Sequence, residues 1–252
     1  MLEYEVDMDE LRGRTALITG ASSDIGHETA KLLARAGARL ALVGRSLEPL
    51  EARRADLDGA AGVELFAADL RDGTAIESLH SRVVERAGDP DVLVHAAGVW
   101  HDGGSRLQGP LLQDTPPAVV DDVLDVGLRA PILLARLVLP AMILRRAGKI
   151  VCMSCGFAGA HEAVGWLHYY VANLAVRHFV EGLAAETRPN EIQVNAVAPW
   201  FVATGPVRRF YPAEAARALA PVDVARLIAF LVSPSADHVS GQVIELRTKA
   251  DH

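Results

Sequence analysis

The chain has 252 residues, half of them hydrophobic, and a mean hydropathy of +0.19, so one large α/β domain with a sizeable core is within reach. A formal net charge of −7 argues against a nucleic-acid partner, and the acidic start "MLEYEVDMDE" lacks the apolar segment of a secretory signal. No apolar run approaches the length of a membrane span, so the expectation is a cytoplasmic protein with no membrane partner.

After an acidic N-terminal extension over residues 1–12, strand and helix patterns alternate. "RTALITG" (14–20) reads as a buried strand, and "ETAKLLARAG" (28–37) as an amphipathic helix stopped at Gly37. "RLALVG" (39–44) is a second strand and "LEPLEARRADL" (47–57) a second helix. "VELFAA" (63–68) and "DVLVHAAG" (91–98) are strands with a helix between them. Residues 117–148 form a long, mostly apolar helix. "KIVCMSC" (149–155) is the fifth strand, "YYVANLAVRHFVEGLAAE" (169–186) a helix, "IQVNAVAP" (192–199) the sixth strand and "GQVIEL" (241–246) the seventh. Strands that are continuous apolar runs are buried on both faces, as in a parallel sheet between helix layers. The fold class is therefore α/β, a Rossmann-like doubly wound sheet of about seven parallel strands. No linker, repeat or low-complexity tract divides the chain, so residues 1–252 read as a single domain. The stretches 100–110 and 200–212 look like surface loops at the carboxyl edge, where such sheets bind ligands.

Cys152 and Cys155 stand in "CMSC". Zinc needs about four ligands and there is no second pair of cysteines, while a redox pair belongs at a helix N-terminus rather than a strand end. Neither a metal nor a disulfide is expected.

"TGASSDIG" (19–26) follows the first strand and opens directly into a helix. Glycines there let the backbone approach a pyrophosphate, and the helix start supplies N–H groups and a positive dipole end. With this turn, "VGRS", "ADL", "HAAG", "GKIVCMSC", "YYVAN", "VNAVAP", "FVAT" and "VSGQVI" in that order, the chain resembles the short-chain dehydrogenase/reductase family, nearest its ketoacyl-carrier-protein-reductase-like members. The resemblance runs from Arg14 to about Leu246.

That resemblance implies a dinucleotide site on Gly20, Ser22, Ser23, Asp24, Ile25 and Gly26. Asp24 replaces the middle glycine, setting an anion beside a pyrophosphate, or else capping the helix as Asp favours doing. At the end of the second strand no acid awaits a ribose 2′-hydroxyl; Arg45 and Ser46 suit a 2′-phosphate, which favours NADP(H) over NAD(H). Asp69 and Leu70 would border the adenine, and Ala97 and Gly98 the ribose. Pro199, Val202 and Thr204 would meet the nicotinamide, with Trp200 narrowing that pocket. His95 replaces the family asparagine and reads as a packed, hydrogen-bonded histidine.

Family members use a tyrosine acid/base, a lysine one helical turn on, a serine and an asparagine. Counting back from Glu186 places Tyr169 on the tyrosine and Asn173 on the lysine; Tyr170 would require a one-residue slip. The serine position falls on Cys155, after Ser154, and the asparagine position on Gly127. "RTK" (247–249) replaces the usual Asp-Gly-Gly. A cation about 4 Å away contributes at most roughly 4 kcal/mol at an effective dielectric of about 20. Without it a tyrosine stays near its ordinary pKa of about 10, poor as a base for alcohol oxidation but still a proton donor for ketone reduction. Substitute acids could come from His161, Glu162 or His168, the last as easily a surface residue. Cys155 reads as inert and buried rather than as a nucleophile.

Three functions stay open. The first is an NADP(H)-dependent reductase of an apolar or aromatic carbonyl compound, its pocket shaped by residues 99–116 and 200–221. The others are a non-redox lyase, isomerase or cyclase on the same scaffold, and a non-catalytic subunit. All three fit a homodimer or homotetramer built through helices 117–147 and 169–187.

Overall fold

The computed structural model describes residues 10–156 and 160–248. The strands are β1 (Thr15–Thr19), β2 (Arg39–Gly44), β3 (Gly62–Ala67), β4 (Val92–His95), β5 (Gly148–Met153), β6 (Ile192–Pro199) and β7 (Val243–Leu246). All pairings are parallel, in the order β3-β2-β1-β4-β5-β6-β7. The chain winds outward from β1 to β3, then crosses back to lay β4 on the other side of β1. That switch point lies between Thr19 and His95, which pair in register.

The helices are α1 (Asp24–Arg35), α2 (Glu48–Glu51), α3 (Gly73–Ala87), α4 (Pro117–Leu124), α5 (Ala130–Arg145), α6 (Leu167–Thr187), α7 (Gly205–Phe210), α8 (Pro212–Ala215) and α9 (Pro221–Val232). Successive strand residues serve opposite faces. Ile18, Leu42 and Val94 join a core with α1 and α9, while Leu17, Val43 and Leu93 join one with α3, α5 and α6. Both faces of the central strands are buried, which is why those strands are mostly apolar.

Several sequence expectations change. Leu11, assigned to the extension, packs into the core, and its N–H bonds Ala36 O at 2.9 Å. Residues 1–9 of that extension and Lys249 of "RTK" lie outside the described residues. The helix predicted over 47–57 is a single turn, α2, followed by a 3₁₀ turn at Arg54–Asp56. Leu50 is the one buried residue of α2, so no apolar stripe sustains a longer helix. The stretch 200–212 is not simply loop, since it holds α7 and the start of α8.

α4 and α5 form one 29-residue helix, Pro117–Arg145, joined by a π-turn at Asp125–Arg129. By length and composition it could cross a membrane, contrary to the sequence expectation. Arg136 interrupts the run of apolar letters, yet a membrane-length window still averages a hydropathy of 1.7. Here one face of this helix, including Leu134, Ala135, Val138 and Met142, is core of the sheet.

Backbone packs very closely at the start of α1. A Cβ on Gly26 would lie 2.2 Å from Gly20 O, inside the backbone of the preceding turn. Gly26→Ala should therefore push α1 off β1 and lower stability by about 1–3 kcal/mol, the usual cost of overpacking. A urea titration checks this: the midpoint should fall while the slope is unchanged.

Candidate active site

The turn after β1 is built by close approach. Gly20 has φ +65°, and a Cβ there would sit 2.7 Å from the Ala96 carbonyl carbon at the end of β4. Ser23 then caps α1, its Oγ accepting from Gly26 N at 3.1 Å. Asp24 is thus not the cap, as one sequence reading had it, but the first helical residue. Its carboxylate accepts from Gly205 N at 2.7 Å and from Arg53 Nη2 at 2.9 Å. Burial alone would raise its pKa; the Gly205 N–H and the Arg53 guanidinium outweigh this and hold it below the usual carboxylate range.

The other nucleotide candidates gather along the same edge. Arg45 and Ser46 are exposed past β2. Arg45 is near enough to help hold Asp69 low, although the main cause is Arg71, which binds Asp69 Oδ2 at 2.6 Å. Arg71 also binds Asp122 at 3.0 Å. Leu70 is buried, Ala97 half-buried, and Gly98 has open space where a side chain would stand. Pro199 and Val202 are buried at and beyond the end of β6, and Thr204 caps α7 by accepting from Val207 N at 3.4 Å.

His95 is packed and hydrogen-bonded, as its place in an apolar strand predicts. Burial pushes its pKa down to about 4, so the ring is neutral. The network sets the tautomer: Nε2–H donates to Val126 O at 3.0 Å, and Nδ1 accepts from Thr19 Oγ1 at 2.9 Å. Val126 belongs to the π-turn, whose wider spacing changes the pairing of helix carbonyls.

The catalytic candidates meet where β5 faces α6. Cys155 and Asn173 supply the hydrogen-bonding side chains around Tyr169. Burial, then Cys155, push the tyrosine well above its ordinary pKa, and Asn173 opposes this only in part. Burial likewise pushes Cys155 up to about 11, against the pull of Tyr169 and Arg177, while Glu162 and Glu245 add to the rise. Asn173 Nδ2 also bonds Tyr169 O at 2.8 Å, and Ser154 Oγ donates to Asn173 O at 3.0 Å. Cys152 is apart, fully buried in the sheet, with its thiol pushed up to about 12. Both thiols are free.

His168 does not join this cluster. It is buried, contrary to the surface reading, with Nε2 unpartnered; burial lowers its pKa, and it does not act on Tyr169. One residue along a helix turns about 100°, so its face is not that of Tyr169. His161 is exposed, whereas Glu162 lies close enough to act on Cys155. At Gly127 a Cβ would meet only Ala172 Cβ, at an ordinary 3.8 Å.

The residue that sequence reasoning missed is Arg177. It continues the face of Tyr169 and Asn173 by one more turn, a spacing that could have exposed it. Its Nε donates to Ser154 Oγ at 3.3 Å, Nη2 to the Cys155 carbonyl, and Nη1 to Glu245 Oε1 at 3.0 Å. Glu245 also binds Arg247 at 3.0 Å, whose guanidinium lies 4.4 Å over the Trp200 ring. That indole rests directly on Gly156, where a Cβ would be 2.1 Å from it. Beyond Tyr169, Trp166 at 5.6 Å begins an aromatic cluster that continues through Trp100 to Phe210 and Tyr211. Arg209 donates to Gly103 O at 2.5 Å and Tyr211 to Gln108 Oε1 at 2.7 Å, tying the two flanking segments together.

The family model described as short chain dehydrogenase matches residues 14–215. The chain belongs to the short-chain dehydrogenase family. It is 34% identical over 247 residues to the uncharacterized oxidoreductase YmfI of Bacillus subtilis, covering 92% of this chain and 97% of that protein. It is 33% identical over 246 residues to the 3-oxoacyl-(acyl-carrier-protein) reductase FabG of Thermotoga maritima, covering 93% and 96%. A crystal structure of a 3-oxoacyl-(acyl-carrier-protein) reductase with bound NAD from Brucella melitensis superposes with a TM-score of 0.82 at 26% identity, covering 94% of this chain and 91% of that one. Short-chain dehydrogenases are oxidoreductases that use a nicotinamide cofactor, and among them this chain is ketoacyl-reductase-like.

In this dehydrogenase-family chain, Arg177 ties the end of β5 to α6 and β7. Removing it in Arg177→Met leaves Glu245 half-paired in a partly buried site, and stability should fall by about 1–3 kcal/mol. Arg177 also holds the Cys155 thiol pKa down, so without it Cys155 should react more slowly with iodoacetamide in the folded protein. Mass spectrometry of alkylated protein, alongside a denaturation curve, reads both.

Proposed function

We propose that the protein is an NADP(H)-dependent carbonyl reductase working through an altered proton relay. The observation that carries this is Tyr169, half-buried at the carboxyl edge with Cys155 and Asn173 around its side chain. A phenol with a pKa raised by burial stays protonated at neutral pH, which is the state reduction requires. Tyr169 donates its proton to the carbonyl oxygen, and Cys155, a weaker donor than serine, helps orient that oxygen. Asn173 offers the ribose a hydrogen bond without charge.

The edge suits a dinucleotide. Gly20 and Gly26 keep the turn close to β4 and α1, Gly98 leaves open space, and Arg53 neutralises Asp24. Ser22, Ser23, Ile25, Asp69, Leu70, Ala97, Pro199, Val202 and Thr204 would line the site, with Arg45 and Ser46 on the 2′-phosphate of NADP(H). When bound, the reduced nicotinamide supplies hydride. The aromatic cluster next to Tyr169 favours an apolar or aromatic carbonyl compound. Exposed Ile132, Ile143, Leu144, Leu167 and Val171 on the two long helices favour a homodimer or homotetramer.

One observation favours a non-redox lyase or isomerase instead: the position one turn on from Tyr169 carries Asn173 in place of a cation, and Glu162 sits near Cys155 as a second acid/base group.

NADPH titration followed by nicotinamide fluorescence and thermal shift separates the two readings. The reductase binds NADPH; turnover of a substrate with no nicotinamide present would favour the lyase or isomerase. Tyr169→Phe should abolish carbonyl reduction, by at least about 100-fold, the usual share of a positioned acid, while leaving NADPH affinity within a few-fold. Wild-type rates from the variant would remove Tyr169 from the reaction.

Asn173→Lys restores a cation one turn from Tyr169. It should raise alcohol oxidation at pH 7 by about tenfold or more, because a charge at roughly 4 Å stabilises the phenolate. Reduction should change less. No gain in oxidation would count against Tyr169 as the acid/base group.

A further inference from the structure

We infer that Asp24 is a positioning residue: its carboxylate latches the start of α7 onto the nucleotide turn, so that the aromatic cluster beside Tyr169 stands assembled in the free protein. The two groups are 181 residues apart in sequence, yet Asp24 Oδ2 accepts from Gly205 N at 2.7 Å. The other oxygen is held by Arg53 at 2.9 Å, and the same guanidinium donates to Ser23 O at 3.2 Å. The carboxylate therefore cannot swing away without giving up an ion pair as well as the Gly205 bond. A glycine at this position, the residue the family motif has there, could make neither contact.

What the latch holds is the segment that covers the site. Gly205 opens α7, and α7 carries Arg209 and Phe210, followed directly by Tyr211. Arg209 binds the carbonyls of Gly103 and Gly104, Tyr211 binds Gln108, and Trp100 packs on both Phe210 and Tyr211. Pulling the N-terminus of α7 away from Asp24 loosens the far side of the same cluster. A short helix of six residues has little stability of its own, so its place depends on such external contacts. Preassembly spares a ligand the cost of ordering this segment.

The test needs neither substrate nor cofactor and so is independent of the proposed reaction. Arg208 and Arg209 are exposed tryptic sites on α7, and native-state cleavage there follows the population of the open segment. Losing a hydrogen bond to a charged group should raise that population about tenfold. Asp24→Gly should therefore be cut at Arg208 and Arg209 about tenfold faster than the wild type. Gly205→Pro should behave alike, since it removes the donor and puts a ring carbon where the N–H faced the carboxylate; proline is accepted at a first helical position. Asp24→Asn keeps an acceptor for Gly205 and should stay within about threefold of the wild type. Cleavage at Arg82, within α3, monitors global opening and should not change. Wild-type cleavage of α7 in both Asp24→Gly and Gly205→Pro overturns the latch. So does Asp24→Asn being cut as fast as Asp24→Gly, because a structural ion pair alone would then explain the site. If Asp24→Gly fails to fold, Gly205→Pro decides.

Discussion

The carboxyl edge depends on how closely three backbones pass at the end of β1. Gly20 leaves no room for a side chain against Ala96, and Gly26 leaves none against Gly20. That closeness brings Thr19 level with His95 and starts a chain of hydrogen bonds into the long helix. Ala97 N donates to Thr19 Oγ1, the hydroxyl donates to His95, and His95 donates to Val126 O. An imidazole that is neutral by burial can bridge a hydroxyl and a carbonyl in this way, because one nitrogen donates while the other accepts. The π-turn that presents Val126 also contains Gly127, where the family asparagine would stand. The edge therefore keeps its shape after losing that side chain.

Charge has moved rather than vanished. The family lysine position holds Asn173, but Arg177 lies one turn further along the same face. It acts on Cys155 and on the backbone that carries it. The guanidinium is in turn paired with Glu245, so its field is largely spent locally. The result is a half-buried phenol with an elevated pKa. A lysine in its usual place would push the same group the other way.

The central strands were legible because they are buried on both sides and so are mostly apolar; the edge strands β3 and β7 are only partly buried, and each carries a glutamate. "RLALVG" spells β2 without help from any distant residue, and β6 matches its predicted bounds for the same reason. Tyr169, Asn173 and Cys155 were legible as neighbours from motif order. What stayed hidden depends on contacts remote in sequence. Nothing in "LEPLEARRADL" says that Arg53 leaves a helix to reach Asp24, and nothing in "SSDIG" says that Ser23 takes the cap. Asp and Ser are equally good caps by type, so only the path of the backbone decides between them. His168 failed for a related reason: a histidine in a polar-looking run is assigned to the surface unless its helix face is known. Arg177 could have been found by carrying the helical period one turn further.

An anion at position 24 is a conflict only if its charge is unpaired. Arg53 answers the charge, and Gly205 turns the carboxylate toward the substrate side of the edge. The nucleotide turn and the segment over Tyr169 are then joined by side chain as well as by the sheet. In a fold where ligands sit between strand ends, such a tie makes the two halves of the site sensitive to one another, since moving α7 disturbs the carboxylate that heads α1. Loss of the family glycine costs the turn some freedom and gives the aromatic cluster an anchor. Trp200, with Arg247 stacked on it and Gly156 beneath, anchors the opposite wall by the same exchange of a small residue for a large one. Asp24 and Trp200 thus replace small residues with side chains that are paired or packed, whereas Gly127 goes the other way and leaves its place to the backbone.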